Sequence, residues 1–241
     1  MELYDVTIKR FKDGSVQYRA NLLTHLYNSA TFESPKQLKE YDPIRSAKES
    51  YRQTLNKLYD LVHNNEWEWF FTLTLNEKKI GDRYDFVNCA SFVHRFTDLV
   101  YHKFKQCSVK YIIVPERHKD GAWHFHGLLS GIDKQFLDIN NYGYYYIPDY
   151  HFGFSSMSPV VDSKRVANYI LKYMVKGFNY LDIPKGKRKY FASRNLEYPE
   201  IEYDILDSDR IEELKNNSYY VKQIDNEFYH GYIIDCKEDI L

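Results

Sequence analysis

Apolar and polar side chains alternate from Tyr4 to Arg10, a turn follows at Lys12-Asp13-Gly14-Ser15, and alternation resumes from Val16 to Ala20. A period of two lines one face of a strand, so this stretch predicts an N-terminal hairpin. Ser34-Pro35 to Asp42-Pro43 reads as a linker. From Ile44 to about Asn64 the positions Tyr51, Leu55, Leu58, Tyr59 and Val62 recur at helical spacing, and Asn64-Asn65 ends the helix. Trp67 to Leu75 (WEWFFTLTL) is aromatic and β-branched, a central strand. Asp85 is placed to cap a helix from Phe86 to about Lys105, with Val87, Phe92, Phe96, Leu99 and Val100 turned inward. Val109–Val114 and Ala122–Leu129 follow as strands joined by a short turn. Residues 132–150, with the cluster Tyr142, Tyr144, Tyr145 and Tyr146, predict an irregular segment or short strand. Gly153 to Val161 is extended. Ser163 caps a helix from Lys164 to about Lys176, stopped by Gly177. Further on, Tyr219–Ile224 and Phe228–Ile234 can pair as strands. The expected class is α+β, an antiparallel sheet with helices packed on one side. Three regions are expected: a hairpin and linker (1–43), a central domain (44–195) and an acidic extension (196–241).

Composition narrows the function. No GxxxxGK[ST] loop is present, so no ATPase motif accompanies the domain. Three scattered cysteines (Cys89, Cys107, Cys236) without ligand spacing, an N-terminus unlike a signal peptide and no long apolar run predict a cytoplasmic protein with no membrane partner. The net charge of −1 hides an uneven distribution: residues 164–194 hold nine bases against one acid, and residues 195–241 hold 13 acids against four bases. The basic stretch, Lys164, Arg165, Lys172, Lys176, Lys185, Lys187, Arg188, Lys189 and Arg194, suits a phosphate backbone. The 24 tyrosines suit strand surfaces and the stacking of bases alike.

The segment Glu116-Arg117-His118-Lys119-Asp120-Gly121-Ala122-Trp123-His124-Phe125-His126 carries the first candidate chemistry. His124 and His126, two apart on a strand, share a face. A three-residue loop Lys119-Asp120-Gly121, with Gly121 left-handed, pairs His118 with Ala122 and Glu116 with His124. Cross-strand partners have Cβ atoms about 4.5–5.5 Å apart, so Glu116, His124 and His126 converge from adjacent strands. Two imidazoles and a carboxylate leave open positions on a divalent ion, Mg²⁺ or Mn²⁺ where the substrate supplies phosphate oxygens. An HxH pair alone also describes a strand with two surface histidines; Glu116 across the turn sets this one apart. His118 is expected to be an exposed turn residue.

On the helix predicted from Lys164, Tyr169, Lys172, Tyr173 and Lys176 share a face, while Ile170, Leu171, Met174 and Val175 offer apolar surface. Two phenols beside two ammoniums suit attack on a phosphodiester, with a lysine neutralising charge on the phosphoryl oxygens.

FFTLTL (70–75), His124-Phe125-His126 and YILKYMVK (169–176) stand in the order and rough spacing of three motifs of the HUH endonucleases, and the chain resembles in particular the rolling-circle replication initiators of small phages and plasmids. The resemblance covers roughly residues 44–195. It implies a five-stranded antiparallel sheet with the histidine pair on a central strand and a tyrosine helix beside it. It also implies that Glu116, eight residues before His124, joins His124 and His126 on the metal. Tyr169-Ile170-Leu171-Lys172 fits the family's Y-x-x-K nucleophile motif, and Tyr173 fits its second tyrosine. Thr72 and Thr74 are implied near DNA, with Lys164, Arg165, Lys176, Arg188, Lys189 and Arg194 along the strand. The expected partners are single-stranded origin DNA, often in a hairpin, and, lacking an ATPase motif, a host helicase and DNA polymerase in a bacterial cytoplasm. A transposase, a mobilisation relaxase and a noncatalytic origin-binding protein remain the alternatives.

Overall fold

The N-terminal alternation forms the expected hairpin: β1 (Leu3–Arg10) and β2 (Val16–Leu22) pair antiparallel around Gly14, whose φ of 85° is a conformation that suits glycine. The structure is a computed structural model that describes residues 2–23, 42–104, 108–162, 169, 170, 172, 183–226 and 229–240. The chain divides into two compact units, Met1–Tyr41 with Tyr198–Leu241, and Asp42–Glu197. The expected linker core, residues 34–41, lies outside the described residues.

The Asp42–Glu197 unit begins with α1 (Pro43–His63), where the Asp42 carboxylate accepts from the Ile44 and Arg45 amides and Pro43 occupies the first turn. After it come β3 (Trp69–Leu75), one helical turn α2 (Glu77–Ile80) and α3 (Phe86–Lys103), capped by Asp85 as its sequence predicts. The remaining strands are β4 (Lys110–Arg117), β5 (Trp123–Ser130), the two-residue β6 (Asp138–Ile139) and β7 (Tyr145–Tyr146), β8 (Gly153–Pro159) and β9 (Phe191–Ala192). They build one antiparallel sheet in the order β6-β7-β8-β3-β5-β4-β9. The class is α+β, but where five strands were expected this sheet has seven, four longer strands (β8, β3, β5 and β4) with three two-residue strands at its edges.

Helices cover both faces, not one. Phe71, Leu73, Phe125 and Ile113 bury against Phe92, Val93 and Phe96 of α3. On the opposite face, Ile112, Val114 and Leu128 pack with Leu58, Leu61 and Val62 of α1 and with Ile170. β3 buries Phe71, Leu73 and Leu75 on one face and leaves Phe70, Thr72 and Thr74 half-buried on the other, the period of two that its sequence carries. Tyr169, Ile170 and Lys172 are helical; the rest of the helix predicted over 164–176 lies outside the described residues.

In the other unit the C-terminal segment returns to the N-terminal hairpin. β10 (Glu200–Asp207) pairs with β1, α4 (Ser208–Asn216) follows, and β11 (Tyr220–Asn226) and β12 (Tyr229–Cys236) pair with each other as predicted, β12 also with β2. The order is β10-β1-β2-β12-β11, with Ile211 and Leu214 of α4 packed on Val6, Tyr18 and Ile234.

Candidate active site

The β4–β5 turn sets the register of the site. The His118 amide donates to the Ala122 carbonyl and the Gly121 amide to the His118 carbonyl, both at 2.8 Å, and Gly121 has φ of 89°. This three-residue turn with a left-handed glycine places Glu116 opposite His124, and Val114 opposite His126. On the other side β3 sets Thr72 opposite His126 and Thr74 opposite His124. Glu116, His124, His126, Thr72 and Thr74 therefore share the face on which Ile170 is buried.

Glu116 reaches diagonally: its Oε2 lies 2.6 Å from His126 Nε2. The other ring nitrogen of His126, Nδ1, is 3.0 Å from the Thr72 hydroxyl. His126 is only 6% exposed, and burial holds its pKa below the usual imidazole value against the opposing pull of Glu116. His124 is also held low, by burial first and then by the neighbouring His118 and His126, with Glu116 and Asp120 acting in the opposite sense. Neutral imidazoles are the form that ligates a metal. The donor chemistry of the trio thus fits a divalent ion. Among the described residues no three His, Cys, Asp or Glu side chains stand in cation-binding geometry. At this site two of the would-be ligand atoms, Glu116 Oε2 and His126 Nε2, are hydrogen-bonded to each other, and that bond must open to admit an ion.

Two aromatic neighbours complete the site, and neither was assigned to it from the sequence. Phe70 stacks on His126 (centroids 6.0 Å, interplanar 14°) and meets Tyr169 edge-on at 5.5 Å. His118 stacks on His124 at 4.9 Å and 17°, so besides being an exposed turn residue it backs a site histidine. Alternation carried both signals: Phe70 has the parity of Thr72 and Thr74, and His118 that of Glu116.

Ile170, fully buried among Leu128, Ile112 and Val114, anchors the tyrosine segment, leaving Tyr169 45% exposed and Lys172 exposed. Phe70 thus bridges a histidine and the tyrosine of the second candidate motif. Lys164, Arg165, Tyr173 and Lys176 lie outside the described residues.

The remaining predicted basic residues follow the β9 edge. Lys187, Arg188 and Lys189 line a cavity of about 400 Å³ with Ser50 and Thr54 of α1, and the Lys189 ammonium donates to the Ser50 hydroxyl at 2.6 Å. Burial lowers the Lys189 pKa. Arg194 is exposed beside Ser193, whose amide donates to the Tyr111 carbonyl. Tyr111 and Glu116 are five residues apart on β4, so Arg194 stands roughly 17 Å along the sheet from the histidine cluster.

Residues 68–178 match the family model of the ORF2-type replication-associated proteins. The replication-associated match is consistent with a rolling-circle replication initiator. It lies inside the Asp42–Glu197 unit and takes in β3, the β4–β5 hairpin, β8, Tyr169 and Lys172. No curated protein and no solved structure matches the chain. No helix among the described residues is long and apolar enough to cross a membrane.

Proposed function

We propose that the protein initiates rolling-circle replication as an HUH-type nickase, cutting single-stranded origin DNA by tyrosine attack. The observation that carries this reading is one sheet face on which Glu116, His124 and His126 cluster and Phe70 links His126 to Tyr169. The match of residues 68–178 to a replication-associated family supports it.

Glu116, His124 and His126 would hold Mg²⁺ or Mn²⁺, which when bound supplies Lewis acidity to the scissile phosphate. With an ion bound, His126 Nε2 would be unprotonated and the Thr72 hydroxyl would accept the Nδ1 proton, the reverse of the arrangement in which Nε2 donates to Glu116. The Tyr169 phenol, 45% exposed, gives its proton to solvent as its oxygen attacks phosphorus. The P–O3′ bond breaks, giving a 5′-phosphotyrosine and, after protonation, a free 3′-OH that primes the polymerase. Lys172, at the third position after Tyr169, neutralises charge on the phosphoryl oxygens. Reversal by a 3′-OH, or transfer to Tyr173, rejoins the strand. Arg188 and Lys189 on the β9 edge draw in the backbone, and unwinding falls to a host helicase.

Covalent trapping tests this. Incubated with Mn²⁺ and single-stranded DNA from its own replicon, the wild-type chain should give a denaturation-resistant adduct. The adduct should vanish with EDTA, in Glu116→Gln and His126→Ala, and in Tyr169→Phe or the Tyr169→Phe/Tyr173→Phe pair. Tight DNA binding without any adduct would show the chain to be a noncatalytic origin binder; an adduct undiminished in the double tyrosine variant would remove the nucleophile assignment.

A further inference from the structure

On the sheet face of the proposed catalytic cluster, one cross-strand row runs from β8 to β4: Phe154 opposes Thr74, Thr74 opposes His124, and His124 opposes Glu116. Phe154 ends this row with its side chain 51% exposed. Ser155 and Met157, on the opposite face, are buried, and Ser156 and Ser158 on its own face are half-buried, so Phe154 is more exposed than the residues that follow it along this face. Gly153 lets the backbone lie against β3 here: a Cβ on it would fall 1.9 Å from the Thr74 carbonyl oxygen. Beside Phe154 opens a cavity of about 430 Å³, walled also by Thr74, Asn76, Glu77, Lys78 and Arg83.

Arg83 carries an unspent donor. Its Nη2 donates to Asp120 at 2.9 Å and to the Tyr84 hydroxyl at 3.2 Å, which ties the guanidinium to the β4–β5 turn. Its Nε is buried without a hydrogen-bond acceptor, and the nearest carboxylate oxygen described for it, Glu77 Oε2, is 3.9 Å away, beyond hydrogen-bonding reach. An unpaired buried N–H is costly, and a ligand oxygen in the cavity would relieve it after a small rotation of the side chain. Glu77, the one acid in the wall, is 61% exposed and has solvent to turn to.

We propose that this cavity is a nucleotide subsite for the single strand, in which a base stacks on Phe154 and a phosphate oxygen pairs with Arg83 and Lys78. An exposed ring beside a guanidinium and an ammonium is complementary to a base joined to a phosphate, and stacking accepts any base. The subsite rests on the nickase reading, because its row leads to His124 and Glu116: a strand seated on Phe154 passes the catalytic cluster. Arg83 also couples the subsite to the turn that sets the register of Glu116 and His124, so occupancy steadies the site it feeds.

The test uses the full-length chain in EDTA with 12-nucleotide single strands of randomised sequence carrying one central 5-iododeoxyuridine. Ultraviolet crosslinking followed by peptide mapping should mark Phe154. Fluorescence anisotropy with the same pool should show Phe154→Ala binding about 5- to 100-fold more weakly, the range expected for one base stack, and Phe154→Trp restoring the affinity. Crosslinks confined to other residues, or Phe154→Ala binding as the wild type does, overturn the subsite. A wild-type chain that forms its metal-dependent adduct while Phe154→Ala binds unchanged overturns the subsite alone. Crosslinking at Phe154 without any adduct upholds the subsite and overturns the nickase.

Discussion

Gly127 lies in β5 between His126 and Leu128, and the packing under it makes a sharp prediction. A Cβ built there falls 2.3 Å from Phe71 Cζ, 2.4 Å from Phe71 Cε1 and 2.7 Å from the Ile112 carbonyl oxygen. Carbon atoms pack comfortably at about 3.5–4.0 Å, so in Gly127→Ala the Phe71 ring must retreat by roughly 1.2 Å or more. It has little room: Phe71 is 1% exposed and its ring centre is 5.4 Å from that of Phe96. Overpacking of this kind costs about 1–3 kcal/mol, offset by about 0.5–1 kcal/mol because alanine loses less backbone freedom than glycine on folding. The contact with a backbone carbonyl places the cost in the upper half of that range, so the expected loss is about 1–2.5 kcal/mol, which at a urea dependence of about 1–3 kcal/mol/M lowers the midpoint by roughly 0.3–2.5 M. The chain has two compact units, so a global signal could mix two transitions. All three tryptophans, Trp67, Trp69 and Trp123, belong to the Asp42–Glu197 unit, and their fluorescence follows that unit by itself. Phe71→Leu removes the two ring atoms but leaves the Ile112 carbonyl oxygen at 2.7 Å, so Gly127→Ala in that background should cost less than in the wild type by more than about 0.5 kcal/mol, the limit of simple additivity, without becoming neutral. An unchanged midpoint for Gly127→Ala, or an equal loss in both backgrounds, would refute the steric argument.

Three further outcomes are expected. His124 and His126 are held below the ordinary imidazole value of 6.5, so in mild acid the unfolded chain binds more protons than the folded one; their stabilising contribution is present above pH 6.5 and is lost as pH falls below it. The tryptophan-monitored urea midpoint should therefore drop between pH 7.5 and 5.5, and a smaller drop is expected in His126→Ala; a midpoint that rises on acidification contradicts the assigned direction. Burial pushes the Cys89 thiol up to about 12 and Cys236 to about 11, so at pH 8 both should resist alkylation in the native chain and react in urea, as peptide mass spectrometry would reveal. Thr72→Val removes the hydroxyl 3.0 Å from His126 Nδ1; if that hydroxyl orients a ligating ring, the Mn²⁺ concentration for half-maximal adduct should rise about 10- to 100-fold, with Thr72→Ser near wild type, and an unshifted Mn²⁺ dependence in Thr72→Val would remove the role.

Local features were legible where local chemistry decides them. Asp85 caps its helix as placed, whereas Asp42, read as the end of a linker, proves to be the cap of α1; the Lys119-Asp120-Gly121 loop alone sufficed to set Glu116 opposite His124. Long-range pairing was not legible. β10 alternates Glu200, Glu202 and Asp204 with Ile201, Tyr203 and Ile205, and the acids masked a strand that is stabilised by pairing with β1, nearly two hundred residues earlier in the chain. The same limit explains the sheet: the two-residue strands β7 and β9 carry no period of their own and form against the longer β8 and β4, and β6 in turn pairs with β7. Within the site, loop length settled which residues oppose each other but not which side chains meet. Register puts Glu116 beside His124, yet its carboxylate bonds to His126 while the His118 ring lies against His124. A rotamer answers to everything packed around it, and the neighbours of the two histidines, Phe70 and Thr72 at His126 and His118 at His124, come from a separate strand and from across the turn.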